Sequence, residues 1–258
     1  MLYFLDTAFW SHLEWVALFV ASLALVIFAR YLAISVLYQF LVKKLRAKVS
    51  HGTTPKKRAA PSKQIKREIT WAFTASLVFA VLVALSLLAY QNGLTQVYTD
   101  IHEHSLTYFF VSPALMLVLY ESYYYWLHRW MHLPRVFKHV HKVHHESTSP
   151  TVFTAFSFHP IEAFLQFIFF PAVIMLVPVH AVMLAAIFLL LSFFAVVNHA
   201  GAEIYSRGIR KFLIGASHHE IHHQQFRANF GLNFTGWDIF MKTERTEPTG
   251  SDKATQQK

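Results

Sequence analysis

Long uncharged stretches alternate with short polar segments along this chain. Residues 15–42 carry a single charge, Arg30, residues 69–90 carry none, and Leu106–Leu127 carries only Glu121, near its end. About 20 apolar residues suffice to span the hydrocarbon core of a bilayer. Each of these three stretches therefore predicts one transmembrane helix.

A fourth stretch, residues 163–198, runs for 36 residues without Asp, Glu, Lys or Arg. As one straight helix it would be about 54 Å long, whereas the hydrocarbon core is about 30 Å thick. Pro171 and the turn-like segment around Pro178 instead predict a helical hairpin that enters the membrane and returns. Pro134 is expected to end the helix before it, just after its last histidine.

The polar segments carry their charge asymmetrically. Residues 43–67 hold ten Lys or Arg and no acid, whereas residues 91–104 hold two acids and no Lys or Arg. Basic loops favour the cytoplasmic side of a membrane, so the first segment is expected to be a cytosolic loop, with every histidine motif on its side. The prediction is an all-α integral membrane protein with about four to five transmembrane or hairpin helices and a cytosolic helical cap. Its regions would be 1–115 (N-terminal helices and basic loop), 116–245 (histidine-rich region containing the hairpin 163–198) and 246–258 (polar tail).

Composition narrows the function classes. The chain has 258 residues, 55% of them hydrophobic, a mean hydropathy of +0.36, a formal net charge of +9 and no cysteine. Its basic residues cluster beside apolar spans, which argues against nucleic-acid binding. The lack of cysteine excludes a disulfide scaffold, thiolate zinc sites and cysteine-ligated iron–sulfur clusters. Asp6 and Glu14 lie where a cleavable signal peptide would carry basic residues, so no such peptide is predicted.

Eight of the 17 histidines fall into three spaced motifs, which are HxxxH over 128–132 and HxxHH over both 141–145 and 219–223. On a helix, residues three and four apart share one face at about 5–6 Å. Neighbouring histidines in HxxHH point about 100° apart, so one motif can reach two adjacent metal ions.

Neutral imidazole suits iron, zinc, copper and nickel. A structural zinc site uses four ligands and a catalytic one three, so nine histidines can fill two metal sites with positions to spare. The predicted metal ligands are His128, His132, His141, His144, His145, His199, His219, His222 and His223.

Other residues near the motifs are predicted to be ligands or partners of ligands. His159, before Pro160, could take either role, and His218 is off the motif spacing and is expected to support a ligand. Ligating imidazoles commonly donate their second N–H to a carboxylate. The candidate carboxylates are Glu121, Glu146, Glu162, Glu203, Glu220 and Asp238, with Glu162 and Asp238 the foremost. The aromatic run 123–126 is expected to be an interfacial belt.

The order of these motifs resembles that of the fatty acid hydroxylase/sterol desaturase superfamily. HxxxH and HxxHH are followed by HPxE at 159–162, NHxG at 198–201, the second HxxHH, and Trp237-Asp238. The resemblance covers about residues 120–240. The segment SFHPIEAFLQ is most similar to the sterol C5-desaturase branch.

The resemblance implies a membrane-bound non-haem di-iron oxygenase, an enzyme that hydroxylates or desaturates a sterol or fatty-acyl lipid. Both reactions begin with the same hydrogen abstraction. It also implies two iron ions held by the nine histidines, O2 as co-substrate, and electrons from NAD(P)H. A separate cytochrome b5-like or ferredoxin-type protein would deliver them, since no fused donor segment is found. Some relatives carry a further histidine where this chain has Ala195.

Three other classes would use the same residues differently. A metal transporter would place ionisable ligands inside its spans, and a metal-dependent membrane hydrolase would work with zinc and without O2. A haem carrier would need only two to four axial histidines. The short length and the lack of a clear retrieval signal favour a bacterial inner membrane over the endoplasmic reticulum.

Overall fold

The computed structural model describes residues 7–46 and 60–246. Within these ranges the chain is mainly helical, as predicted. The helices are α1 (Leu13–Arg46), α2 (Ser62–Gln91), α3 (Leu106–Met131), α4 (Pro134–Val140), α5 (Lys142–His145), α6 (Pro160–Phe167), α7 (Phe169–Val173), α8 (Ala181–His199), α9 (Ala216–Gln225) and α10 (Gly236–Phe240). Short 3-10 helices cover Thr7–Ser11, Thr154–Phe156 and Ile209–Lys211.

Four helices are long and apolar enough to cross a membrane, namely α1, α2, α3 and α8. Large apolar side chains such as Leu25, Phe40, Phe110 and Val182 lie exposed on their outer faces. Such faces are suited to lipid rather than water. The architecture fits a multi-pass membrane protein and confirms the predicted fold class.

The segment predicted to form a hairpin has two helical limbs of unequal form. Its first limb consists of two short helices, α6 and α7, which meet at Ile168 just before Pro171. Proline removes a backbone donor and clashes with the preceding turn, which accounts for a break in this limb. Its second limb is the uninterrupted α8.

The turn of the hairpin forms the one pairing of strands in the described ranges. β1 (Val97–Tyr98) runs parallel to β2 (Val179–His180), with Val97 opposite Val179. This two-residue pairing was not expected from the sequence. It ties the acidic 91–104 segment to the hairpin turn, so both lie at the end of the bundle remote from the histidine motifs.

The predicted boundaries of the basic loop were too wide. α1 continues through Lys43 to Arg46 and α2 begins at Ser62, so both ends of the 43–67 segment are helical. Long basic side chains are good helix formers, and apolar content alone does not mark where a helix leaves the bilayer. Residues 47–59, Asp6 and all but the first residue of the predicted polar tail lie outside the described residues.

A buried carboxylate on α2 fixes the loop that follows α5. Glu68 is fully buried and accepts hydrogen bonds from Gln64, Thr151 and Thr154 at 2.7–2.9 Å. From α1, Tyr31 donates to the carbonyl of Phe153 at 2.7 Å. These contacts hold the loop beneath the histidine motifs and against the membrane-spanning helices.

Candidate metal centre

The nine predicted ligands come together in two groups. In each group the candidate ligand nitrogens all lie within 4.8 Å of one another. The first group is His128, His132, His141, His145 and His222, and the second is His144, His199, His219 and His223. Eight of the nine residues are buried, and His132 is half-buried.

Short helices divide each HxxHH motif between the two groups. α5 carries His144 and His145, which belong to different groups, and α9 carries His222 and His223, which are divided in the same way. Adjacent helical residues point about 100° apart, so each motif supplies both groups. His199, the last residue of α8, joins the second group from the membrane side.

Within the groups, Nε2 atoms face one another at 2.9–3.2 Å. In the first group, His141 Nε2 lies 3.1 Å from the Nε2 atoms of His128 and His145, and His222 Nε2 lies 3.1 Å from those of His132 and His145. In the second group, His199 Nε2 lies 3.2 Å from His144 Nε2 and 2.9 Å from His219 Nε2.

Backbone carbonyls determine the protonation of three of these rings. His128 Nδ1 donates to Phe230 O at 2.8 Å and His222 Nδ1 to Ala228 O at 2.7 Å. His199 Nδ1 donates to Ala195 O at 2.7 Å. A carbonyl only accepts, so the proton is on Nδ1, and in a neutral ring Nε2 then presents a lone pair.

These lone pairs fit a set of metal ligands. Facing lone pairs at 3.1 Å repel each other in a buried site unless a cation lies between them, because a buried acceptor without a donor is costly. Two imidazole nitrogens that bind one ion at about 2.1 Å and at a right angle to each other lie about 3 Å apart. The observed separations match that value. All-imidazole donor sets suit transition metals.

Burial keeps the rings in the form that binds metal. Desolvation, followed by repulsion from His222, lowers the pKa of His141 well below its ordinary value. Desolvation and the neighbouring His199 lower the pKa of both His144 and His219 in the same way. Neutral imidazole is the metal-ligating state, and no proton must be removed from these rings before binding.

One predicted carboxylate contacts a ligand directly. Glu162, fully buried in the first turn of α6, accepts from His141 Nδ1 at 2.7 Å and from Gln166 at 3.0 Å. A carboxylate in this position fixes the tautomer and the orientation of the ring. Glu162 therefore orients His141 with its Nε2 toward the first group.

Two other carboxylates hold the segment that supplies the carbonyl acceptors. Glu121 on α3 accepts from the backbone N–H groups of residues 232–234 at 2.9–3.2 Å. Asp238 on α10 accepts from Phe230 N at 2.8 Å and Gly231 N at 2.9 Å. Together they fasten residues 228–234, whose carbonyls meet His128 and His222. Nothing in the sequence predicts that these backbone carbonyls contact the histidine rings.

The remaining predicted residues lie outside both groups. The ring of His159 accepts from Ile161 N at the start of α6 and lies 6.0 Å from the ring of Trp71. His218 contacts Asp238 at 3.4 Å. Glu146 pairs with Arg67 at 3.4 Å, and Glu203 accepts from the Ser217 side chain and backbone.

The interpretation of the 123–126 run as an interfacial belt was wrong for two of its members. Tyr124 and Tyr125 are buried, and the ring of Tyr124 lies 5.2 Å from that of His128. Tyr125 stacks on Trp237. Only Trp126 has the exposure that a belt requires. Aromatic composition cannot distinguish the lipid-facing side of a helix from its packed side.

An apolar pocket lies between the long helices and reaches the second group. Its volume is about 140 Å³, and His144 and His199 are part of its wall. Most of the other lining residues are aromatic or aliphatic, including Phe79, Tyr120 and Phe170. The pocket therefore brings an apolar ligand against the candidate metal centre.

Comparisons with known proteins identify similar sequences. A family model described as fatty acid hydroxylase matches residues 113–243. Delta(7)-sterol 5(6)-desaturase ERG3B of Gibberella zeae is 30% identical over 182 residues, which cover 70% of this chain and 56% of that protein. Lathosterol oxidase of Homo sapiens is 30% identical over 177 residues, covering 68% of this chain and 59% of that protein.

The chain thus spans between half and three fifths of the length of these curated relatives. No solved structure matches it. The family match spans α3 to α10 and includes all nine clustered histidines.

Proposed function

This chain belongs to the fatty acid hydroxylase family, and from that premise we propose that it is a membrane-bound non-haem di-iron oxygenase that hydroxylates or desaturates a lipid. The observation that carries the proposal is the pair of groups of facing Nε2 atoms. Nine imidazoles exceed the four of a structural zinc site and the two axial ligands of a haem.

The residues of this chain would bind the metal ions and shield them from water, as such chemistry needs. Bound iron would supply the activation of O2 and the cleavage of an unactivated C–H bond. The nine histidines would hold it as neutral ligands, and Glu162 would orient one of them. Burial of the rings excludes water from the site, which strengthens electrostatic interactions and suppresses side reactions.

The pocket supports a lipid as the substrate. It opens the second histidine group to the region between the membrane-spanning helices, where its apolar wall would take a hydrocarbon. The names of these relatives refer to sterols. A sterol or a fatty-acyl lipid is therefore the proposed substrate class.

The proposed reaction also needs a source of electrons, and the protein needs a defined orientation in the membrane. We expect electrons from NAD(P)H to arrive through a separate cytochrome b5-like or ferredoxin-type protein. The histidine groups would face the cytosol, because the end of α1 and the start of α2 lie at the same end of the bundle and are basic. They carry Lys43, Lys44, Arg46, Lys63, Lys66 and Arg67.

Metal content and O2 uptake test the proposal directly. Detergent-purified wild type should contain about two irons per chain and consume O2 when given reductant and lipid. His222→Ala in the first group and His144→Ala in the second should lose iron and O2 uptake. His139→Ala, at an exposed position outside both groups, is the matched control and should lose neither.

Zinc in place of iron, or no O2 uptake with any lipid extract and reductase, would contradict the oxygenase. A zinc-dependent hydrolysis that proceeds without O2 would then identify a membrane hydrolase instead.

A further inference from the structure

We propose that the guanidinium of Arg30 binds an oxyanion head group, a carboxylate or a phosphate, of the lipid that occupies the pocket beside His144 and His199. The inference deepens the proposed function and rests on it for the role of this lipid as substrate. It assigns a specificity residue on α1, a helix that precedes the matched family region.

Arg30 lies in the middle of a membrane-spanning helix. It is 17 residues after Leu13 and 16 before Arg46, the two ends of α1, or about 24–26 Å from each end. No other Asp, Glu, Lys or Arg occurs between residues 15 and 42. A charged side chain at such a position is costly and marks a functional site by default.

The side chain borders the pocket. Ile27 and Arg30, one helical turn apart on α1, both line it. Arg30 is the only Asp, Glu, Lys or Arg among the described lining residues. A ligand in the pocket therefore meets one permanent positive charge and two histidines within an otherwise mainly apolar wall.

No carboxylate in the described ranges neutralises this charge. Arg30 Nε is buried and donates to no acceptor in that part of the chain. The buried acids with known contacts have other partners, since Glu68 accepts from Gln64, Thr151 and Thr154, and Glu162 from His141 and Gln166. A ligand in the pocket would supply the compensating charge.

The chemistry of the guanidinium selects the ligand. It presents N–H donors in a planar fork, has no acceptor, and stays charged, so it prefers carboxylate and phosphate oxygens. A neutral hydroxyl would accept a hydrogen bond but leave the charge uncompensated.

The pocket also extends along α8 away from the candidate metal centre. On α8 its lining runs from Phe188 to His199, 11 residues that rise about 16 Å. A lipid in the pocket would therefore meet both Arg30 and the two histidines along its wall.

The test compares ligands that share a chain and differ in their head group. Purified full-length protein, loaded with iron under anaerobic conditions so that no turnover occurs, would be titrated with radiolabelled hexadecanoic acid, hexadecanol and dihexadecanoyl phosphatidate. Wild type should bind at least one of the two anions at least ten-fold more tightly than the alcohol. Carboxylate preference and phosphate preference distinguish a fatty acid from a phospholipid.

Arg30→Met should weaken anion binding at least ten-fold while changing hexadecanol binding less than two-fold. Arg30→Lys, which keeps the charge, should recover part of the loss. Arg207→Met removes an exposed arginine outside the pocket and should change neither affinity. Unchanged metal content and elution volume would show that each variant is folded.

Equal binding of acid, phosphatidate and alcohol by wild type, or equal losses for all of them in Arg30→Met, would overturn the inference. So would binding of a neutral Δ7-sterol that depends on Arg30 as strongly as binding of the anions does. The binding readout is independent of O2 chemistry. Arg30-dependent anion binding without O2 uptake would therefore contradict only the proposed oxygenase activity. Lipid-dependent O2 uptake without a preference for anions would contradict only the role of Arg30.

Discussion

At the scale of single residues, the candidate metal centre depends on what each imidazole contacts with its second nitrogen. His128, His199 and His222 donate to backbone carbonyls, and His141 donates to the Glu162 carboxylate. These contacts aim the Nε2 lone pairs at one another. Ala195 contributes its carbonyl, which accepts from His199.

Replacing Glu162 by Gln should weaken metal binding without unfolding the protein. The amide keeps the shape and can still accept from His141 Nδ1, but it loses the negative charge. Loss of such a partner commonly lowers metal affinity about 10–100-fold. Competition with a chelator, followed by metal analysis, measures the change.

Glu146→Gln is the matched control, since the carboxylate of Glu146 pairs with Arg67 and not with the ring of a clustered histidine. It should retain the wild-type affinity. Equal affinities for the Glu162 and Glu146 variants would contradict the role assigned to Glu162.

The buried histidines also predict how stability depends on pH in the absence of metal. Burial lowers the pKa of His141, His144 and His219, so below about pH 6.5 the unfolded chain binds protons that the folded chain does not. Stability is therefore greatest above that pH and falls as the solution is acidified, by up to about 1.4 kcal/mol per pH unit for each ring.

The thermal midpoint of the metal-free protein in detergent should accordingly drop between about pH 7.5 and pH 5.5. His144→Ala removes one such ring and should make the dependence shallower. A midpoint that stays constant over this range would contradict the prediction.

At the scale of elements, the short helices and the segment 228–235 assemble the site around the ends of the long helices. α9 is ten residues long and carries three of the nine histidines. The segment after it is fastened by Glu121 and Asp238, and Ile214 packs against it. Gly231 lies at the tightest point, where an added Cβ would meet Ile214 Cδ1 at 2.7 Å and Phe234 O at 2.8 Å.

Gly231→Ala should therefore destabilise the protein by about 1–3 kcal/mol, because a backbone oxygen cannot move aside as a flexible side chain can. It should also lower metal retention, since Phe230 O accepts from His128. Thermal unfolding and metal content measure the two effects.

Gly236→Ala provides the comparison, because nothing lies within 4 Å of a Cβ added there. At this position, the first of α10, alanine should be neutral or slightly stabilising. Equal thermal stability and metal content for the two alanine variants would contradict the role assigned to the tight packing at Gly231.

At the scale of the whole molecule, the histidines and the basic ends of α1 and α2 lie at one end of the bundle, and the β1–β2 pairing lies at the other. Each of α1, α2 and α3 reverses the side on which the next polar segment emerges. The α6–α7 limb returns the chain to the β1–β2 end, and α8 brings it back to the histidines.

The absence of cysteine from the chain allows this arrangement to be tested with single-cysteine variants. Lys63→Cys and Arg207→Cys, at exposed positions of the histidine end, should react with a membrane-impermeant maleimide from one side of sealed vesicles. His102→Cys, exposed at the other end, should react only from the opposite side. Labelling of Lys63→Cys and His102→Cys from the same side would refute the topology.

The sequence by itself determined the class of this protein and the identity of the clustered histidines. Uncharged length indicates membrane spans because lipid tolerates few charges, and HxxxH and HxxHH follow the helical repeat. Both signals are local in the sequence, so they can be identified before the fold is known.

Only the tertiary structure decided which histidines share a group, which carboxylate meets which ring, and that backbone carbonyls at 195, 228 and 230 fix the tautomers. It also turned Tyr124 inward and put Arg30 on the pocket wall. These contacts join residues far apart in the chain. They depend on how the helices pack against one another, and that packing cannot be predicted from a local repeat in the sequence.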